Sequence, residues 1–162
     1  MATFVHIFAE KDKASIIKNG IKVQKAKWRR INGVFVSPVT RNYYNTHQWF
    51  REIQRYKNVP KLVARIKIPD DRTVFIGKYN KEHIEVEASK AIGIAMEHQE
   101  PGGLEVIIPR AIKSGEILKI YKPPKTVGWR YHPNAKGKKP CGCPYCQYGQ
   151  PFSKEIKKRF AP

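Results

Sequence analysis

The sequence predicts an α+β fold: a mixed, split β-sheet with flanking helices, followed by a basic, cysteine-containing C-terminal tail. Three observations carry this. Short runs rich in Val, Ile and Phe outnumber the helical segments. The two kinds interleave without a strict strand–helix–strand rhythm, which argues against a doubly wound parallel sheet. Beyond residue 121 the apolar periodicity stops, and Gly, Pro, Lys and aromatic residues take over. The chain therefore divides into a domain over 1–121 and a tail over 122–162.

Residues 3–8 are β-formers and read as a strand. Residues 10–19 read as a helix, with Ile16 and Ile17 on one face and Asn19-Gly20 as its stop. Residues 21–23 make a short strand, and the basic segment 25–32, with Trp28-Arg29-Arg30, a loop. Gly33-Val34-Phe35-Val36-Ser37 is a buried strand that Pro38 blocks. Tyr43, Tyr44, Trp49, Phe50 and Ile53 fall at helical spacing over 42–56. Leu62, Ala64, Ile66 and Ile68 alternate with Lys61, Val63, Arg65 and Lys67, which predicts a strand ended by Pro69-Asp70-Asp71. Residues 73–76 are a further strand, and Gly77-Lys78-Tyr79-Asn80 a turn. Over 82–97 the composition is helical, with Ile84, Ala88, Ala91, Ile92 and Ala95 on one side. After Glu100-Pro101-Gly102-Gly103, residues 104–108 form a strand, 109–116 a turn or short helix, and 117–121 a last strand before Pro123-Pro124.

With 162 residues and 41% apolar side chains, the chain can build one core. No stretch approaches the roughly 18 apolar residues of a membrane span, and no secretory signal is visible at the N-terminus. The three cysteines all lie between Cys141 and Cys146 and make no disulfide framework, so a reducing cytoplasm is expected. The net charge is +19 and uneven: residues 1–67 hold 15 basic and 3 acidic side chains, 68–121 hold 7 and 9, and 122–162 hold 10 and 1. Such a field attracts polyanions, and nucleic acid is the commonest. Trp28, Arg29, Arg30 and Arg41 near the start, and Lys136, Lys138 and Lys139 near the end, are candidate contacts. A solvated basic surface is the competing reading for each.

Two residues interrupt apolar strands. Glu105 stands among Leu104, Val106, Ile107 and Ile108. A carboxylate there must face water from an edge strand, pair with a base, or line a site, because unpaired burial is costly. His6 in Phe4-Val5-His6-Ile7-Phe8 poses the same question. Gly102-Gly103 would let a ligand approach the backbone before Glu105 closely.

Together these segments resemble the ADP-ribosyltransferase fold superfamily, which includes the diphtheria-toxin-like and poly(ADP-ribose) polymerase enzymes. The resemblance runs from Phe4 to about Tyr121. It rests on the His6 strand with Ile16-Ile17-Lys18-Asn19-Gly20-Ile21 after it, on Gly33-Val34-Phe35-Val36-Ser37, and on the late strand Glu105-Val106-Ile107-Ile108-Pro109. It implies a split sheet around an NAD cleft, with NAD as co-substrate. It further implies that His6 holds a ribose hydroxyl, that Gly33, Phe35 and Ser37 line the site, and that Tyr43 or Tyr44 stacks on nicotinamide. Glu105 would bond the 2′-hydroxyl and stabilise an oxocarbenium-like transition state. The chain is similar to the DNA-modifying toxin branch. The RNA 2′-phosphotransferase branch fits less well because no Arg stands in the first strand, and Gly103 in place of a Glu disfavours an arginine-modifying toxin.

Cys141, Cys143 and Cys146, with His132, could hold zinc in a closed knuckle, and His98, His83 or His47 could serve as the fourth ligand instead. Three reduced thiols, or a redox pair in Cys143-Pro144-Tyr145-Cys146, are the alternatives. The resulting expectation is an NAD-dependent ADP-ribosyltransferase acting on DNA or RNA, a toxin or defence effector. The alternatives are a non-enzymatic nucleic-acid-binding protein with a zinc knuckle and an NAD-using RNA 2′-phosphotransferase.

Overall fold

β-Branched and aromatic residues at alternate positions build seven strands: β1 (Ala2–Ala9), β2 (Val34–Pro38), β3 (Lys61–Ile68), β4 (Thr73–Lys78), β5 (His83–Glu87), β6 (Leu104–Ile108) and β7 (Ile117–Tyr121). The helices are α1 (Lys13–Asn19), α2 (Tyr43–Thr46), α3 (Gln48–Tyr56) and α4 (Ala88–Glu97). This computed structural model describes residues 1–25, 31–56, 59–79, 81–98 and 102–123, apart from the side chains of 44, 55 and 56. Trp28, Arg29, Arg30, His132, Lys136, Lys138, Lys139 and the three cysteines lie outside the described residues, as does most of the tail.

The α+β class and the strand-rich order hold. The sheet order is β5-β4-β6-β2-β1-β3-β7. Every pairing among the described residues is antiparallel, which corrects the expected mixed sheet. A parallel pair needs a crossover that returns the chain to its starting end. Here the segment through α1 joins two strands that run in opposite directions.

The ladder is uneven across the centre. β1 pairs with β3 over eight residue pairs, Ala2↔Ile68 to Ala9↔Lys61. It pairs with β2 over only two, Phe4↔Pro38 and Val5↔Ser37. Beyond Val5 the two strands part, and His6 is the first residue at the opening.

Alternation gives the sheet two unlike faces. One carries Phe4, Phe8, Val34, Val36, Ala64, Ile66, Val74, Ile76, Leu104, Val106 and Ile108 in a cluster of twenty buried residues, which also takes in Ile16 of α1 and Ala88, Ala91 and Ala95 of α4. The three alanines fall at helical spacing and let α4 sit close to the sheet. The opposite face has a cluster of three, Val5, Phe50 and Val63, with α3 lying over it. Most buried polar residues belong to that second face: Ser37, Lys61 and Glu105 by alternation, and Thr46, His47, Gln48 and Glu52 from the α2–α3 segment above it.

Several local expectations change. Residues 83–87 are β5 rather than the first turns of a helix, because His83, Glu85 and Glu87 alternate with Ile84 and Val86 against β4. Gly77 and Lys78 complete β4 instead of turning. The helix expected over 42–56 breaks at His47. Ile17 is 56% exposed, so only Ile16 of that pair reaches the core. The strand expected at 21–23 reduces to a bridge between Ile21 and Ile112. The Asn19-Gly20 stop is confirmed: Gly20 takes φ 76 and its N–H caps the Ile16 carbonyl. A Cβ there would lie 2.0 Å from the Ile112 carbonyl oxygen.

Candidate functional site

Following the register from strand to strand picks out one row of residues on the polar face. Lys119 lies opposite Arg65, Arg65 opposite Val5 and Val5 opposite Ser37. Carrying the β2–β6 register one residue further sets Ser37 beside Glu105. Glu105 lies opposite Gly77, and Gly77 opposite His83. The row therefore crosses all seven strands and carries Lys119, Arg65, Ser37, Glu105 and His83. It runs past Val5↔Ser37, the last pair before β1 and β2 separate.

Glu105 is 7% exposed. β6 lies between β4 and β2, so the reading of Glu105 as an outward residue on an edge strand does not hold. His83 comes at it from across β4: its Nε2 is 3.3 Å from Glu105 Oε1. That is ion-pair range but not hydrogen-bond alignment, and Nε2 is buried with no hydrogen-bond partner. The ring can cross because Gly77 has no side chain. A Cβ on Gly77 would come within 2.9 Å of His83 Cγ and 2.5 Å of the Glu82 carbonyl oxygen. His83 Nδ1 donates to the Lys81 carbonyl at 3.0 Å.

His6 occupies the opening itself. Its Nδ1 lies 2.7 Å from the Phe35 carbonyl oxygen, which can only accept, so Nδ1 carries the proton and Nε2 is an acceptor. Burial pushes the imidazole below its ordinary pKa, against the opposing effect of the Phe35 bond. Strand alternation places His6 with Phe4 and Phe8, and its ring stacks parallel to Phe8 at 6.4 Å. Glu105 belongs to the opposite face. The structure thus brings His6 to Phe35 and sets Ser37 beside Glu105, while the two interrupting residues sit on either side of the separating strands.

Gly33 has a packing reason of its own: a Cβ there would meet Ile107 Cγ2 and the Ile108 carbonyl oxygen, each at 2.5 Å. Gly103, with φ 84, has open space where a Cβ would stand. Its N–H donates to Gln48 Oε1 at 2.8 Å, and Trp49 Nε1 donates to the next carbonyl, Leu104, at 2.9 Å. The start of α3 is thereby fixed to the residues that lead into Glu105.

At the other end of the row, Tyr43 is 45% exposed and packs on His47 with ring centroids 4.1 Å apart. His47 Nδ1 donates to the Tyr43 carbonyl at 2.8 Å, and its Nε2 accepts from the Tyr121 hydroxyl. Burial lowers the His47 pKa, with the Tyr43 bond opposing and the Arg65 charge adding to the shift. Burial pushes the Tyr121 hydroxyl up to about 12, so it stays a donor. Lys119 Nζ sits 5.2 Å from the Tyr121 ring centre. Arg51 Nη1, Gln54 Oε1 and Arg65 Nε are buried without a hydrogen-bond partner. Arg41 is exposed beside α2.

Sequence reasoning missed the roles of His83, Arg65, Lys119 and His47 in this arrangement. The signal for His83 was present: a glycine in β4 facing an alternating 83–87 segment. Among the described residues no cluster of three or more His, Cys, Asp or Glu could hold a metal ion, and no helix is long and apolar enough to cross a membrane. No protein-family model matches the chain, and no curated protein or solved structure is significantly similar to it.

Proposed function

We propose that the protein is an NAD-dependent ADP-ribosyltransferase that modifies nucleic acid. One observation carries the reading. The three strands that supply its motif residues, β1 with His6, β2 with Phe35 and Ser37, and β6 with Glu105, are neighbours in the sheet, and β1 and β2 part at His6.

The residues suit such a co-substrate. His6 lies on the other side of the parting strands from Glu105, so its Nε2 would meet a ribose hydroxyl only through the opening between β1 and β2. Glu105 accepts one from the 2′-hydroxyl of the nicotinamide ribose, and its negative charge stabilises the cation that develops as the glycosidic bond breaks. Tyr43 offers an exposed aromatic face at the Tyr121 end of the row, four strand positions from Glu105, which suits a base of the acceptor better than the nicotinamide ring. The open space over Gly103 admits a ligand against the backbone beside Glu105. Nicotinamide leaves with the bonding electron pair. A lone pair of a base or phosphate oxygen then attacks the anomeric carbon, and any proton it carried passes to solvent. Arg65 and Lys119 supply positive charge at one end of the row for the polyanionic acceptor.

The test is incubation with NAD and single- or double-stranded DNA or RNA. Transfer adds the mass of ADP-ribose to the nucleic acid and releases nicotinamide. Glu105→Ala should abolish both and leave nucleic-acid binding intact; full activity in that variant would overturn the assignment of Glu105. Binding without nicotinamide release would favour a non-enzymatic nucleic-acid-binding protein, the reading that the +19 charge supports by itself. Zinc on Cys141, Cys143, Cys146 and His132 is a separate proposal. It predicts about one zinc per chain in protein purified without chelator, the occupancy of a single closed site.

A further inference from the structure

We propose that His83 is the positioning residue of Glu105, holding the carboxylate in its working orientation across the gap left by Gly77. This rests on the reading of Glu105 as the carboxylate of the NAD site.

His83 and Glu105 lie on strands separated by β4, so their backbones are roughly 10 Å apart, two strand spacings. Side chains at such a distance rarely meet unless the intervening position is empty. Here it is Gly77, in register with both. Its missing Cβ is the space the imidazole occupies, since a methyl group there would fall 2.9 Å from His83 Cγ. The far side of the ring is fixed as well, by the Nδ1 bond to Lys81. With Nδ1 engaged, the imidazolium form is the one that presents an N–H to the carboxylate, its Nε2 edge 3.3 Å from Glu105 Oε1 and both side chains only 10% exposed. A carboxylate that stabilises a developing cation works only if it is already in place when the charge appears. A displacement of about 1 Å can cost about 100-fold in rate.

The proposal is tested in two arms. The first needs no co-substrate. Nitrogen NMR of the His83 imidazole is compared between wild type and Glu105→Gln, and the Nε2 resonance should shift clearly. An unchanged His83 signal overturns the contact. The second arm follows nicotinamide release from NAD by the full chain. His83→Ala should lower kcat about 10- to 100-fold with KM for NAD nearly unchanged. His83→Gln, whose amide N–H can still reach Oε1, should restore most of the loss. Gly77→Ala should reproduce the His83→Ala defect with the imidazole still present. Full kcat in His83→Ala overturns the proposal, as does a parallel loss of kcat, KM and melting temperature that His83→Gln does not rescue. The two failures are distinguishable: a clear NMR shift in a wild-type protein that releases no nicotinamide overturns the NAD reading of Glu105 and the catalytic role of His83 with it, while the contact stands.

Discussion

Two adjacent rows of the same sheet differ sharply. One runs Ile84, Ile76, Val106, Val36, then His6, Ala64 and Ile120. The next, one residue over and on the opposite face, carries His83, Glu105, Ser37, Arg65 and Lys119, with Gly77 and Val5 between them. The first row is apolar apart from His6; Ile76, Val106, Val36 and Ala64 belong to the twenty-residue cluster, Ile120 packs against it, and Ile84 at the edge is exposed. The second lies under α2 and α3 against a cluster of three, and the buried atoms without hydrogen-bond partners, on Arg51, Gln54, Arg65 and His83, are in or above it. Buried polar groups cost stability unless they are partnered. A protein that concentrates them on one face has one face that supplies the stability and another that is free to do something else. His6 is the exception that joins the two, at the point where the strands part.

The sharpest way to break this comparison is to cut one side chain from each face. Phe4 is fully buried in the apolar cluster. Phe4→Ala should lower unfolding free energy by about 3–5 kcal/mol, measured by urea denaturation. Glu105→Gln on the polar face should lower nicotinamide release by about 100-fold or more, and cost less stability than Phe4→Ala, because the amide keeps the side chain's volume and opens no cavity. If Glu105→Gln destabilises the protein as Phe4→Ala does, Glu105 is a structural residue and the division between the faces fails.

That division was only half legible in the sequence. β3 could be read to the residue, because Leu62, Ala64, Ile66 and Ile68 alternate with Lys61, Arg65 and Lys67, and period two is the strand's own signature. β6 was equally plain, and so was the anomaly of Glu105 within it. Pairing partners are not a local property, so nothing in residues 82–97 announced that the first part would add a strand beside β4. The apolar residues Ile84, Ala88, Ala91 and Ala95 also fit a helix, and the alternation of 83–87 was too short to overrule them. The row on the polar face was invisible for the same reason. It is made of seven residues from seven strands, and it exists only once register is known. The break at His47 is another tertiary effect, since that side chain is engaged with Tyr121 from β7.

Histidine titration sharpens the comparison by placing one probe at each end of it. His6 and His47 both have pKa values lowered from 6.5, chiefly by burial. The folded state therefore holds fewer protons than the unfolded state between the lowered values and 6.5. Stability should be fully present above that pH and fall as the pH drops through it, by up to about 1.4 kcal/mol per pH unit for each histidine. Urea denaturation from pH 8 to 5 measures the slope. His6→Gln and His47→Gln should each flatten it, with the two effects adding, because the sites lie on different faces and bond to different partners. A profile that is flat in wild type would mean that neither imidazole is as buried as the fold places it.

The smallest effect comes from a site on neither face. Between β6 and β7, Arg110 makes a two-pronged ion pair with Glu116, at 2.8 Å and 2.6 Å, and the Lys113 N–H donates to the same carboxylate at 2.8 Å. Arg110 is 36% exposed and Glu116 19%, so solvent screens the pair and its contribution should be about 0.5–1 kcal/mol. The hydrogen bonds from Arg110 hold the Glu116 carboxyl below its ordinary 4.5, although desolvation opposes them. Its stabilisation is therefore present above pH 4.5 and lost as the pH falls through the lowered folded value, whereas the histidines begin to act at 6.5. Glu116→Gln should remove only that acid limb and leave the slope near pH 6.5 untouched, and 1 M salt should reduce the difference between the variant and wild type at neutral pH. If Glu116→Gln also flattened the slope near 6.5, the connection and the sheet would unfold as coupled parts, and the loss of stability there could not be assigned to His6 and His47 alone.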